Sequence, residues 1–212
     1  MNMKNNKLIN WLCLTGVISV IFYLLHDIVG TMNYPGYDWM SQAVSDLTAT
    51  DAPSFVEASG FVTVYKILNC ICCVLLCVLI GNESKKSLRF GVYLFSIMNF
   101  ISAIGYALFP LSSRGYDGSV QSFIHVYILT ALVVILSIIS LILIAVGSLK
   151  GKDKHRLLGI LAIVSLLLMF IGVVASQNVD KSIFGIFERF STYSAVVFTG
   201  ILGLYGFKVF RD

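Results

Sequence analysis

Charge is what this chain of 212 residues has least of: only 12% of its residues are Asp, Glu, Lys or Arg, against 58% hydrophobic. With a mean hydropathy of +0.88, that composition excludes an ordinary soluble globular domain, in which about a quarter of residues are charged. No low-complexity tract, no repeat with a period of about 20 to 50 residues and no long linker divides the chain. One domain over residues 1–212 is expected. No RNA- or DNA-binding motif is visible either, so the net charge of +4 does not call for a nucleic-acid partner.

Six apolar runs of about 20 residues or more take up most of the sequence, the length needed to cross about 30 Å of hydrocarbon as helix. They are Leu8–Val29, Ser59–Ile80, Leu88–Phe109, Ser122–Leu149, Leu157–Val174 and Ile183–Phe207. Lipid leaves no backbone polar group a solvent partner, and runs this continuous do not alternate as barrel strands do. The expectation is an all-α, multi-pass protein of the cytoplasmic membrane with membrane lipids as its surroundings. Self-association is left open. The first run ends at His26 and Asp27 with no small-x-small cleavage site, which reads as a retained helix and not a secretion signal.

Basic residues give the orientation. Lys4 and Lys7, then Lys85, Lys86 and Arg89, then Lys150, Lys152, Lys154 and Arg156, then Lys208 and Arg211 occupy alternate connections and both ends. These positions should face the cytoplasm, N-in and C-in. The other connections carry Asp38, Asp46, Asp51 and Glu57, then Arg114 with Asp117, then Asp180 with Lys181. Cys13, Cys70, Cys72, Cys73 and Cys77 all fall inside spans, where thiols act as small apolar packers. The C-x-x-C at Cys70 and Cys73 has no second ligand pair beside it.

Between the first two spans lies YPGYDWMSQAVSDLTA, Tyr34 to Ala49. Pro35 and Gly36 predict a turn, Asp38 an N-cap, and Trp39, Met40, Ala43, Val44 and Leu47 share one side at helical spacing. A short amphipathic helix on the outer surface follows, with Tyr34, Tyr37 and Trp39 suited to the interface. Asp46 falls about 20° from Trp39, able to look inward, while Ser41 and Ser45 point toward water.

Titratable residues within the spans gather in the outer half: His26 and Asp27, Lys66, His125, and Glu188 with Arg189. The inner half is expected to hold none. Polar stripes, Thr15, Ser19, Tyr23 and His26, then Ser96, Asn99, Ser102 and Tyr106, and then Glu188, Ser191, Thr192, Ala195 and Thr199, face other helices. Charges at membrane depth are costly and mark functional sites. His26, Asp27, Ser45, Asp46, His125, Glu188 and Arg189 are therefore the candidate ligand-binding residues. The two histidines with Asp27, Asp46 or Glu188 could hold zinc, but no H-E-x-x-H fixes two ligands on one helix, so no cofactor is expected. Serine catalysis lacks G-x-S-x-G or S-x-x-K. A proton-coupled carrier would need polar groups on the cytoplasmic half, and a non-catalytic complex subunit would need no ligand. A bound headgroup is the simplest use, with Lys66 and Arg189 for phosphate or carboxylate and the acids for amine or hydroxyl.

Tyr34-Pro35-Gly36-Tyr37 with Ser45-Asp46-Leu47, a lone His125 in the fourth span, and Gly185-Ile186-Phe187-Glu188-Arg189 opening the sixth together resemble the prokaryotic membrane proteins called domain of unknown function family 998. The resemblance covers nearly the whole chain and implies six membrane helices. It implies no substrate and no catalytic residue. Lys66 lies outside its motifs.

Overall fold

The structure is a computed structural model describing residues 3–81, 83, 85–112, 115–150 and 153–209. Arg114, Lys152 and Arg211 lie outside the described residues, as do the side chains of Lys4 and Lys154. Among the described residues, six helices are long and apolar enough to cross a membrane: α1 Lys7–Met32, α2 Phe55–Ile80, α3 Lys86–Leu108, α4 Val120–Leu149, α5 His155–Asn178 and α6 Lys181–Val209. No end differs from the hydropathy expectation by more than four residues. Among the described residues there is no strand.

Neighbours in sequence are neighbours in space. α1 packs on α2, α2 on α3 and so on to α6, which closes the ring on α1 and also touches α2. We call the end carrying connections 33–54, 109–119 and 179–180 the upper end, and the end nearest both termini the lower end. From mid-depth downward the ring is filled by Leu76, Phe95, Met98, Leu141, Phe198 and Leu202, all buried, with the Phe95 and Phe198 rings edge to face at 5.3 Å. On top of this layer, Asn69 Nδ2 donates to Asn99 Oδ1 across the α2–α3 contact at 2.7 Å. Paired amides satisfy each other where no water is at hand. All five cysteines are free thiols.

The segment read as an amphipathic helix is something tighter. It forms a turn at Asp38, whose Oδ1 accepts from Met40 N at 3.1 Å, and then a 3-10 helix Val44–Thr48. Regular winding fails because carbonyls that an α-helix would use are taken by others: Tyr37 OH donates to Ala43 O at 2.8 Å, and Arg189 takes those of Trp39 and Gln42. Val44, Asp46 and Leu47 turn inward.

Close helix contact fixes small residues. A Cβ on Gly147 would sit 2.2 Å from Leu88 N, whereas one on Gly60 meets nothing within 4 Å. Gly147→Ala is expected to lower stability by about 1–3 kcal/mol because the obstacle is backbone. Gly60→Ala should raise it by about 0.4–1 kcal/mol through helix propensity and chain entropy. Thermal unfolding of the two variants in one detergent checks the pair.

Candidate functional site

Arg189 ties the upper end together. It stands on α6 at 7% exposure, with Nε and Nη2 on the two carboxylate oxygens of Asp27 from α1, at 3.0 and 2.9 Å. Nη2 also donates to Tyr37 OH at 2.8 Å, and Nη1 to the carbonyls of Trp39, Gln42 and Gly185 at 2.8, 3.0 and 3.2 Å. A guanidinium has five N–H groups, and these six acceptors engage them all. Tyr193 OH donates to Asp27 as well. Burial pushes the Tyr37 hydroxyl well above the usual phenol range, so it keeps its proton and can donate to Ala43 O while accepting from Arg189.

Gly185 and Glu188 seat the same loop. Gly185 N donates to Met40 O at 2.7 Å, and a Cβ on Gly185 would lie 2.3 Å from Gln42 O and 2.5 Å from Trp39 O. Glu188 Oε2 accepts from Val44 N at 3.2 Å, and its Oε1 from Thr192 Oγ1 at 2.9 Å. The Gly185-to-Arg189 motif and the Tyr34-to-Leu47 motif are thus two halves of one joint. Further along the loop, Asp46 is 4% exposed and accepts from Gly115 N at 3.2 Å. Thr50 N bonds Leu111 O at 2.9 Å, which draws the 109–119 connection over the bundle. In that connection the Ser112, Ser122 and Ser119 donors hold the Asp117 carboxyl below the usual carboxylate range. Ser45 is half-buried and its side chain makes no hydrogen bond among the described residues.

Beneath the loop is a layer of inward-facing polar side chains, which we call the hollow. On α6, Glu188 and Thr192 lie about 140–180° from the exposed Phe190 and Val197, on the interior face, yet both keep partial exposure. From α1 comes His26, 2% exposed, edge to face with Tyr23 at 5.3 Å; neither ring nitrogen has a partner among the described residues. From α4 comes His125, in a π-helical turn, Ile124–Leu129. Its Nδ1 is 2.7 Å from Phe109 O. A carbonyl only accepts, so Nδ1 carries the proton and the Nε2 lone pair of the neutral ring is left available. The Tyr106 ring lies 4.6 Å from the imidazole. Tyr106 OH bonds Thr130 Oγ1 at 3.2 Å, and Thr130 in turn donates to His125 O at 3.0 Å.

Lys66 of α2 completes the set. It acts electrostatically on both His26 and His125, and it makes no hydrogen bond or ion pair among the described residues. Its Cα is eleven residues, about 16 Å, below the top of α2, while His26 is about 9 Å below the top of α1. Helical side chains lean toward the N-terminus, so Lys66 leans up and His26 leans down. Of the candidate residues, then, Asp27 and Arg189 hold each other, Asp46 holds a connection, Glu188 holds loop and hollow, and the two histidines share the reach of Lys66. No hydrogen bond or ring contact joins His26 to His125 among the described residues. Nor, among them, is any group of three or more His, Cys, Asp and Glu side chains placed to hold a metal ion.

The lower half is not free of titratable groups, contrary to the sequence expectation. His155, at 2% exposure, has its Nδ1 2.7 Å from Tyr205 OH and its Nε2 3.2 Å from Glu83. Its four basic neighbours in sequence disguised it as loop. The helical period of His155, Leu158, Ala162 and Met169, all buried, is the signal that would have placed it on the inner face of α5.

A family model described as "Protein of unknown function (DUF998)" matches residues 17–205, a stretch that contains both halves of the joint and every residue of the hollow. No curated protein and no solved structure matches the chain.

Breaking a buried pair leaves one charge uncompensated. Arg189→Met is expected to cost about 3–5 kcal/mol and to open the loop at Tyr37–Gln42 to protease. The double variant with Asp27→Asn should recover part of that loss, which a double-mutant cycle of unfolding midpoints would measure.

Proposed function

We infer from this chain, which belongs to the DUF998 family of proteins of unknown function, a multi-pass protein of the cytoplasmic membrane that binds the polar head of an amphiphilic ligand at its outward end. The orientation rests on charge. Lys7, Lys85, Lys86, Arg89, Lys150, Arg156 and Lys208 belong to the lower end, whereas the upper connections carry Asp38, Asp51, Asp117 and Asp180. Short cytoplasmic loops collect Lys and Arg.

The observation that carries the reading is vertical asymmetry. His26, with both ring nitrogens unpartnered among the described residues, and Lys66 share an upper hollow, below which Phe95, Met98, Leu141 and Phe198 form an apolar layer. A molecule reaching the hollow comes from the outer face or sideways from the leaflet. An amphiphile suits both, its head among polar groups and its tail in lipid. Were the ligand also processed, His125 Nε2 is the group placed to take a proton from it. A proton-coupled carrier fits less well, because the same apolar cluster lies between the hollow and the Glu83–His155 pair. A purely structural subunit leaves a lysine at membrane depth unexplained.

In intact cells, a membrane-impermeant maleimide should label Gly118→Cys, and should label Lys85→Cys only after permeabilisation; the reverse pattern would invert the orientation. Mass spectrometry of copurifying lipids should show one amphiphile enriched on the wild type and depleted on both Glu188→Gln and His125→Ala. Identical profiles would defeat the binding proposal.

A further inference from the structure

The unmet bonding capacity of the hollow names its ligand class, an inference that rests on the amphiphile reading above. We propose that the hollow is an anion site, in which a phosphate or carboxylate of the ligand's head binds the Lys66 ammonium and accepts a hydrogen bond from the imidazole of His26.

The charges at this end are unevenly spent. Arg189 is matched by Asp27 and saturated by six acceptors. Glu188 is the acid of the hollow, and each of its oxygens already accepts a hydrogen bond, from Val44 N and from Thr192. What is left over is cationic or able to donate. Lys66 has three N–H groups, and among the described residues it has no hydrogen-bond or ion-pair partner and His26, enclosed, has none at either nitrogen. Lys66 begins too deep for its four-carbon stem to reach water at the top of α2, and its lean carries the ammonium toward His26 and His125. A cationic head would meet repulsion there. An uncharged one would leave the ammonium without a counter-ion in a low-dielectric setting. A phosphate offers several acceptor oxygens, enough for the ammonium and an N–H of His26.

The same chemistry belongs to a lipid headgroup and to a free anion, so the test separates them. Purified full-length protein in dodecyl maltoside is titrated with dioctanoyl phosphatidate, inorganic phosphate, dioctanoylglycerol and dodecyltrimethylammonium, and the shift in unfolding midpoint is read. Phosphatidate should stabilise the wild type, and Lys66→Met should weaken its binding by about tenfold or more. Without ligand, Lys66→Met should unfold at an equal or higher midpoint, since it removes an unpaired charge. Stabilisation by phosphatidate alone identifies a headgroup as the occupant; equal stabilisation by inorganic phosphate identifies a free anion and removes the amphiphile reading instead. Unchanged phosphatidate affinity in Lys66→Met, or equally tight binding of the uncharged or cationic amphiphile, overturns the anion proposal while leaving amphiphile binding in place. No binding by any of the four probes overturns both.

Discussion

Everything at the upper end hangs on one ion pair. Asp27 and Arg189 lie 162 positions apart, yet their two-pronged contact joins the first helix to the last and closes the ring. Because the guanidinium has donors to spare beyond the carboxylate, the same contact also gathers three backbone carbonyls and a tyrosine hydroxyl. Ring closure and loop placement are therefore a single event. A lysine could supply the charge but not the planar fork that reaches so many acceptors at once.

The loop in turn decides what the hollow can be. Its backbone spends carbonyls on Arg189 and an N–H on Glu188, which costs it regular helical winding but lets Asp46 and Leu47 turn inward. Glu188 belongs to both structures, one oxygen on the loop and the other on Thr192 of its own helix. A ligand that drew on Glu188 would thus be felt by the loop above it. Lys66 and the histidines have no such second duty toward the loop, and this division separates the groups that build the roof from those that remain to meet a guest.

The six spans were legible because a membrane helix announces itself by continuous hydropathy, a property of one segment alone. The inward turn of Asp46 could be read too, from its angular offset to Trp39. What could not be read were relations between segments. Nothing local distinguishes Arg189 as the partner of Asp27 and not of Glu188, its neighbour. Trp39 through Leu47 has a sound helical pattern, and tertiary competition for its carbonyls overrode it. His155 was hidden by its company, since Lys150, Lys152, Lys154 and Arg156 make a convincing loop, although burial of its own stripe puts it in the bundle.

The π-helical turn of α4 carries a consequence of its own. Ile124–Leu129 is wound wider than the helix above and below it, so it holds a surplus residue. Deleting one position there would let the winding become regular with the turns above and below still in register, but the backbone that carries the imidazole would be rewound. The ring would then lose Phe109 as its anchor. The aim of His125 is thus encoded in the arithmetic of a single turn as much as in the identity of the side chain.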